Sequence, residues 1–188
     1  MSSVMQWLAE TEWSIALHES QYAYAIVESI HVWALCLFVG FAALLDLRLL
    51  GLVFPEVPVT HMTRRVLPWT KVGFTVMVAS GVLLVLAIPF RTYHNVFFRA
   101  KAVLLVLAGL NAFVFHRWTY RTVGAWDTTV PPPRAVWVTG LLSLVLWTAI
   151  VFSGRMIAYN WFDCGKRQPP LINAVAGCTP DMIDPYSQ

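Results

Sequence analysis

The sequence between Glu28 and Asp46 reads SIHVWALCLFVGFAALL and contains no Asp, Glu, Lys or Arg. A helix that crosses the hydrocarbon core of a bilayer needs about 20 mostly apolar residues. With its flanks, from about Tyr22 to Leu52, this stretch meets that requirement. We predict a first transmembrane helix here, because lipid offers no hydrogen-bond partner to an open backbone.

Three more apolar segments follow along the chain. They lie between Lys71 and Arg91, from about Phe97 to His116, and between Arg134 and Arg155. The connections between them are short and contain prolines, which favour turns. The sequence therefore predicts an all-α fold, a four-transmembrane-helix antiparallel bundle.

The composition of the whole chain agrees with a membrane protein. Hydrophobic residues make up 58% of the 188 residues and charged residues 12%, whereas a soluble domain has about 25% charged residues. The net charge of +3 comes without a basic stripe, so no nucleic-acid partner is expected. No Walker loop, dinucleotide motif or nucleophile elbow occurs. This favours an electron-transfer or accessory subunit over a stand-alone enzyme.

The segments outside the bundle have their own character. Residues 1–21 include Trp7 and Trp13 and suit an N-terminal helix lying in the membrane interface. Residues 22–155 form the predicted bundle, and residues 156–188 form an extramembrane C-terminal tail. The start of the chain lacks the basic residues and continuous apolar core of a cleaved signal peptide.

Charge and cysteine placement together predict the orientation. Lys and Arg number seven on one side of the predicted bundle and six on the side of the termini, whereas acids number three and seven. Cys164 and Cys178 lie 14 positions apart in the tail. A disulfide between them would require an oxidising compartment, and two unpaired thiols are the alternative. We expect a multi-pass inner-membrane protein with both termini and the tail on the periplasmic side.

Histidine inside the first span is the clearest candidate for chemistry. Ionisable groups within a membrane are costly to bury and are therefore functional candidates. A neutral imidazole such as that of His31 ligates haem iron well. Glu28, one turn earlier, or a backbone carbonyl could orient the ring. The alternative is a histidine that hydrogen-bonds to a neighbouring helix.

Three other histidines extend this hypothesis. His31 and His116 lie near opposite edges of the apolar layer, on the order of 20 Å apart along the membrane normal at about 1.5 Å per residue. They therefore do not suit one iron. Depth pairs His31 with His94 and His116 with His61, which gives one or two haem b groups. Nearby cations could hold haem propionates, or could simply anchor helix ends at the headgroups.

Several short motifs resemble known membrane proteins. These motifs are Glu28-Ser-Ile-His31, Asp46-Leu-Arg-Leu-Leu-Gly51, Leu67-Pro-Trp69, Ser80-Gly81, Phe98-Arg-Ala-Lys101 and Gly109-Leu-Asn-Ala-Phe-Val-Phe-His116. They are similar to an uncharacterised family of small bacterial four-helix integral membrane proteins. The layout is distantly similar to the HemJ and CopD class.

The distant resemblance carries functional residues with it. In the HemJ and CopD class, a His in the first span, an Arg at its far end, and a Lys and a His on the third span recur. These positions correspond to His31, Arg48, Lys101 and His116. HemJ proteins are associated with haem and with oxidation of porphyrinogen. The chain lacks their second histidine and their Asn-Glu-Pro element, so porphyrinogen oxidation is not predicted.

Two functions follow from these observations. The first is an integral membrane b-type cytochrome-like subunit that passes electrons to or from a partner redox protein. The second is a cofactor-free accessory or structural subunit of a larger membrane complex. In both cases the partners are the lipid bilayer and other membrane or periplasmic protein subunits. The predicted haem-binding residues are His31, His116, His94, His61, Arg48 and Lys101, the four histidines being the iron ligands.

Overall fold

The structure is a computed structural model and describes residues 7–20, 22–159, 164 and 168–178. Within these residues all regular secondary structure is helical, which confirms the all-α prediction. In chain order, the α-helices of six or more residues are α1 (Glu12–Glu19), α2 (Ala23–Leu49), α3 (Val59–Ala87), α4 (Pro89–His94), α5 (Val96–Val114), α6 (Arg134–Tyr159) and α7 (Pro170–Ala176).

Four helical segments are long and apolar enough to cross a membrane. They are α2, α3, the segment Val96–Ala125 that α5 begins, and α6, and each has 26 to 30 residues. At about 1.5 Å per residue, each exceeds the roughly 30 Å hydrocarbon core of a bilayer. The four-span prediction is therefore confirmed.

The second span begins earlier than the sequence predicts. Helix α3 starts at Val59 rather than near Lys71, and it runs through Pro68. Its first turn is capped from a distant residue, because the Asp127 carboxylate accepts hydrogen bonds from the Thr60 backbone N–H at 2.8 Å and the Thr60 hydroxyl at 2.6 Å. This cap satisfies a backbone donor that the start of a helix otherwise leaves without a partner.

The third span extends beyond His116, its predicted end. After α5, the chain continues through a π-helical turn at Phe115–Thr119 and a 3-10 segment at Tyr120–Ala125. Trp126 follows and is buried in a cluster with Leu49, Val59 and Val136. Burial of this aromatic ring anchors the end of the helical segment against α2, α3 and α6.

The chain divides into two compact units. One unit comprises Glu28–Gly81 and Leu105–Thr148, and the other comprises Met1–Val27, Val82–Leu104 and Ala149–Gln188. In the first unit, Phe38 packs edge-on against Trp147, with ring centroids 4.6 Å apart, and Ala34 and Met77 complete the buried cluster. The core of this unit is therefore built by α2, α3 and α6.

In the other unit, the start of α5 and the tail are tied together. Asn95 caps α5, because its side-chain oxygen accepts hydrogen bonds from the backbone N–H groups of Phe97 and Phe98. Arg99 donates hydrogen bonds to the Val175 carbonyl and, at 2.9 Å, to the Ala176 carbonyl. A cation near a helix C-terminus satisfies its last carbonyls. Arg99 therefore holds the end of α7.

The tail contains the disulfide that the sequence leaves as one of two alternatives. Cys164 and Cys178 are joined by an S–S bond of 2.04 Å. Gly177 ends α7 in the left-handed conformation, with φ of 71°, and its backbone N–H donates to the carbonyl of Ala174. A short helix, a disulfide and Arg99 thus order residues 168–178. The interfacial position of α1 and the periplasmic side of the tail remain predictions.

Candidate functional site

His31 lies on α2 and is oriented by the neighbouring span. Its Nδ1 is 3.1 Å from the hydroxyl oxygen of Ser80 on α3. The Ser80 hydroxyl has one proton, which it donates to the carbonyls of Val76 at 2.7 Å and Met77 at 3.1 Å. With its proton on a carbonyl, the oxygen is an acceptor for the Nδ1–H tautomer of the neutral His31 ring, in which the lone pair is on Nε2.

A histidine that hydrogen-bonds to a neighbouring helix is the alternative that the sequence leaves open for His31, and the structure shows such a bond. Glu28 was one expected partner of the His31 ring, and a backbone carbonyl was the other. The structure instead places the Ser80 hydroxyl beside Nδ1, and the Glu28 side chain is exposed. A hydrogen bond that fixes the Nδ1 proton is the usual companion of a histidine that ligates metal through Nε2.

Gly81 gives the His31 ring the space that it occupies. A Cβ atom added at Gly81 would lie 3.1 Å from Cε1 of the ring and 3.5 Å from Nδ1. The Ser80-Gly81 pair therefore performs two tasks, since one residue bonds the imidazole and the next lets it approach the helix backbone. The sequence indicates only that both residues are small.

His116 has a similar arrangement in a different setting. It lies in the π-helical turn, and its Nδ1 is 3.1 Å from the Ala112 carbonyl oxygen. A carbonyl accepts only, so Nδ1 carries the proton and Nε2 the lone pair of the neutral ring. The ring is exposed and contacts that of Tyr120, with centroids 5.7 Å apart. π-helical turns within α-helices occur often at functional sites.

The two remaining predicted ligands have contrasting environments. His61, which the sequence places in a loop, is an exposed residue on the first turn of α3. His94 ends α4 and is buried, with its ring centroid 5.1 Å from that of Tyr93. His31 and His94 belong to separate compact units. The depth-matched pairs His31–His94 and His116–His61 remain predictions.

Arg48 is occupied by backbone carbonyls. It is 1% exposed, and its guanidinium donates to Val57 at 2.8 Å, Pro55 at 3.1 Å and Asp127 at 3.3 Å. These bonds fasten the loop between α2 and α3 to the segment that follows the third span. The sequence predicts that the Arg48 guanidinium binds a cofactor. In the structure its N–H groups instead bond to backbone carbonyls at one end of the bundle.

Asp46 lies beside this clamp in the membrane-spanning part of α2. It is 7% exposed, and its side chain hydrogen-bonds to Ser143 on α6. Among the described residues, nothing hydrogen-bonds to its Oδ2. The sequence does not indicate these roles of Ser143, Ser80 and Asp127, because the partner of each lies far away along the chain.

The cationic side chains of the unit that contains α5 and the tail differ in whether they contact other described residues. Arg99 binds the carbonyls at the end of α7, as described above, and Arg155 lies over the Tyr159 ring. Lys101 is half-buried on α5, and its Nζ would be 3.4 Å from a Cβ at Gly154. It makes no hydrogen bond or ion pair with the described part of the chain. Within that part, Lys101 is a cation on a span without a polar partner.

A haem and a metal ion held by the protein alone make different demands on the described residues. Among them, no group of three or more His, Cys, Asp or Glu side chains is gathered as a metal ion would require. A haem iron needs only axial ligands from the protein. His31 and His116, each with a bonded Nδ1–H, supply that kind of ligand.

Comparison with known proteins defines the family. No curated protein and no solved structure matches the chain significantly. The match to a family of unknown function, DUF6644, covers residues 9–160, from α1 through all four spans. The disulfide-bonded tail lies outside the matched region. With most of its length covered, the chain belongs to DUF6644, a family of unknown function.

Proposed function

We propose that the chain is a membrane-embedded, b-type cytochrome-like subunit that passes electrons to or from a partner redox protein. The observation that supports this proposal best is that the contact between the His31 ring and the Ser80 hydroxyl, which also joins two helices, engages Nδ1. With the proton on Nδ1, the ring would ligate iron through Nε2, within a span where a histidine is otherwise costly.

The protein's contribution to such a site is orientation. A bound haem b supplies one-electron transfer through its iron. Ser80 keeps the His31 proton on Nδ1, and Gly81 allows the ring to lie against α3. Because both residues belong to one rigid helix, the imidazole is held before any ligand binds, which lowers the ordering cost of binding.

His116 is the second proposed ligand. The Ala112 carbonyl holds its Nδ1 proton, and its ring is exposed at the surface of the described chain. His94 and His61 are the depth-matched partners expected from the sequence. Haem groups held by ligands at two depths would carry electrons across the bilayer rather than along one face.

Charged groups near these histidines have different roles in this proposal. Lys101 is available to a propionate, since it has no partner among the described residues. A charge-assisted hydrogen bond to a carboxylate would satisfy an ammonium placed inside a span. Arg48 is assigned a structural role instead, because its donors hold three carbonyls.

An absorption spectrum of the purified protein tests this function. We expect a Soret band that shifts on reduction, that weakens in His31→Ala and in His116→Ala, and that is lost in the double variant. His18→Ala is the matched control, because His18 lies on α1 outside the spans. Absence of a Soret band in protein expressed with haem supplied, or its persistence in the double variant, overturns the proposal.

The second candidate function is an accessory subunit without a cofactor. It is favoured by the tail, where Leu171 and Val175 are 76% and 49% exposed on one face of α7. Arg99 and the disulfide order this segment although it lies outside the predicted spans. Gentle solubilisation tests this candidate. Migration with a companion chain that is lost in Leu171→Asp supports it, and migration as a single chain of 21.2 kDa counts against it.

The orientation proposed for the chain places both termini and the tail in the periplasm. The disulfide between Cys164 and Cys178 supports this side, because disulfides persist in oxidising compartments. A reporter enzyme that is active only in the periplasm, fused after Gln188, tests it. Activity of that fusion is expected, and activity of a cytoplasmic reporter at the same position reverses the orientation.

A further inference from the structure

A cavity of about 380 Å³ lies where α1 meets the end of α3 and the start of α4. The residues that line it include Ile15, His18, Glu19, Ala87, Ile88 and Arg91. All of these residues belong to one compact unit. The volume lies within the range of roughly 300–1,000 Å³ that is common for small-molecule sites. The cavity contains none of the histidines proposed above as ligands.

The lining of this cavity is mostly apolar, with Ser14 as its buried polar residue, and exposed polar side chains lie at its rim. Ala87 is 3% exposed and contributes to the apolar wall together with Ile88 and Pro89. The rim carries His18, Glu19 and Arg91, which are exposed and make no hydrogen bond or ion pair with the described residues. Polar groups at the mouth of an apolar pocket are the usual means of fixing the orientation of a ligand.

The position of the cavity indicates where its ligand comes from. Ala87 is the last residue of a membrane span, and α1 precedes the first span by three residues. The cavity therefore opens at the boundary of the hydrocarbon layer. A molecule that reaches it from the bilayer has an apolar body and a polar head at that depth.

The rim chemistry selects among such amphiphiles. Arg91 donates hydrogen bonds only, Glu19 accepts when ionised, and neutral His18 does both. An anionic phosphate head would bind Arg91 but would be repelled by the Glu19 carboxylate. An uncharged head with hydroxyl and carbonyl groups on a flat ring satisfies all three side chains. Quinols and quinones have this chemistry.

We propose that this cavity is a binding site for the head group of a membrane quinone or quinol. The inference deepens the proposed function, on which it rests, by naming the class of small molecule with which the subunit exchanges electrons. Glu19 and His18 accept hydrogen bonds from the hydroxyl groups of the quinol. Arg91 donates to a carbonyl oxygen of the quinone.

Calorimetric titration of the full-length protein in detergent micelles with a short-chain benzoquinone and its quinol tests this site. We expect saturable binding, with Glu19→Gln and His18→Ala each weakening the quinol by about tenfold, as for loss of one hydrogen bond to a ligand. Arg91→Gln weakens the quinone. Glu12→Gln is the matched control, since Glu12 lies on the same helix and is exposed outside the cavity.

Three results overturn the inference. They are no saturable binding of either form, binding that is unchanged in all three rim variants, and displacement of the benzoquinone by vesicles rich in anionic phospholipid. A thermal melt of each variant confirms that the fold is intact. The titration needs no haem, so its failure is separable from that of the cytochrome proposal. Quinone binding without a Soret band defeats the cytochrome proposal alone, and a Soret band without quinone binding defeats the cavity site alone.

Discussion

The imidazole Nδ1 of His31 and the hydroxyl of Ser80 lie 3.1 Å apart on adjacent membrane spans. The two residues are 49 positions apart in the sequence. The orientation of the His31 ring on α2 is therefore set by α3. A change in the register between these two helices would change the nitrogen that the ring presents.

Replacing Ser80 by alanine tests this relationship directly. The variant removes the hydroxyl beside Nδ1 of His31, and we expect haem affinity to fall by about 10- to 100-fold, as for loss of a residue that orients a metal-bound histidine. Haem titration followed by the Soret band measures this loss. Ser80→Thr keeps the hydroxyl and should restore part of the affinity.

Thr75→Ala is the matched control for Ser80→Ala. Thr75 lies on the same helix and its hydroxyl donates to the Lys71 carbonyl, as the Ser80 hydroxyl does to that of Val76. We expect no change in haem affinity, because Thr75 is exposed and bonds no histidine. Equal losses in the two variants would show that the effect of Ser80 is on the helix and not on His31.

Arg48→Lys separates charge from geometry at the end of the bundle. Lysine retains the positive charge but lacks the planar fork with which arginine reaches several carbonyls at once. We expect a loss of about 1.5–3 kcal/mol in the free energy of unfolding, because hydrogen bonds from a buried charged group are lost. Thermal unfolding in detergent measures this loss. Arg64→Lys, at an exposed position on α3, should leave the melting temperature unchanged.

The sequence predicts the spans because their signal is local. Seventeen successive residues without an acidic or basic side chain, Ser29–Leu45, already require a helix in a bilayer. The start of α3 has no such signal. The first turn of α3 is capped by Asp127, which is 67 positions from Thr60 in the sequence. A Pro-containing segment that suggests a loop is therefore helical, with its start stabilised by a tertiary hydrogen bond.

The same distinction applies to the candidate site. The sequence identifies His31 and His116 because histidine within an apolar segment is conspicuous. It does not identify Ser80 as the partner of His31, because that pairing requires the register of α3 against α2. The sequence also predicts that Arg48 binds a ligand. In the structure its guanidinium donates to three carbonyls in loops, and the sequence does not specify the path of those loops.

The cap from Asp127 makes a further prediction. Asp127→Ala removes the acceptor of both the backbone N–H and the hydroxyl of Thr60, so the first turn of α3 should fray. We expect a cost of about 0.5–2 kcal/mol, as for loss of a helix cap. Hydrogen exchange of residues 59–63 should accelerate. Glu56→Ala, an exposed acid in the adjoining loop, should leave this exchange unaltered, and a similar acceleration there would contradict a specific role for Asp127.

Arg99 and the disulfide should order the tail independently. Arg99→Ala removes the two hydrogen bonds at the end of α7. Cys164→Ser with Cys178→Ser opens a loop of 14 positions, which lowers the stability of the tail by roughly 3 kcal/mol in the chain-entropy account. Limited proteolysis within residues 168–178 measures both effects. We expect each variant to be cleaved faster than the wild type and the combined variant fastest. Arg155→Ala, whose guanidinium lies over Tyr159 and does not reach α7, is the control.

The glycines of the spans divide into those that permit a close approach and those that face open space. A Cβ at Gly73 would lie 3.0 Å from the backbone nitrogen of Phe38, whereas a Cβ at Gly40 would meet nothing within 4 Å. Because the nearest atoms belong to the backbone of Phe38, Gly73→Ala requires α2 and α3 to move apart by a few tenths of an ångström next to the Phe38–Trp147 packing. We expect a loss of about 1–3 kcal/mol for Gly73→Ala, as for other overpacked sites.

Gly40→Ala is the matched substitution on the facing helix, and we expect it to be neutral or slightly stabilising, since alanine favours a helix by about 0.5–1 kcal/mol over glycine. Thermal unfolding of both variants in the same detergent measures the difference. A melting temperature that falls equally in the two would mean that α2 and α3 are not in close contact at Gly73. In that case the register that brings Ser80 to His31 would also be in error, because the same pair of helices sets both contacts.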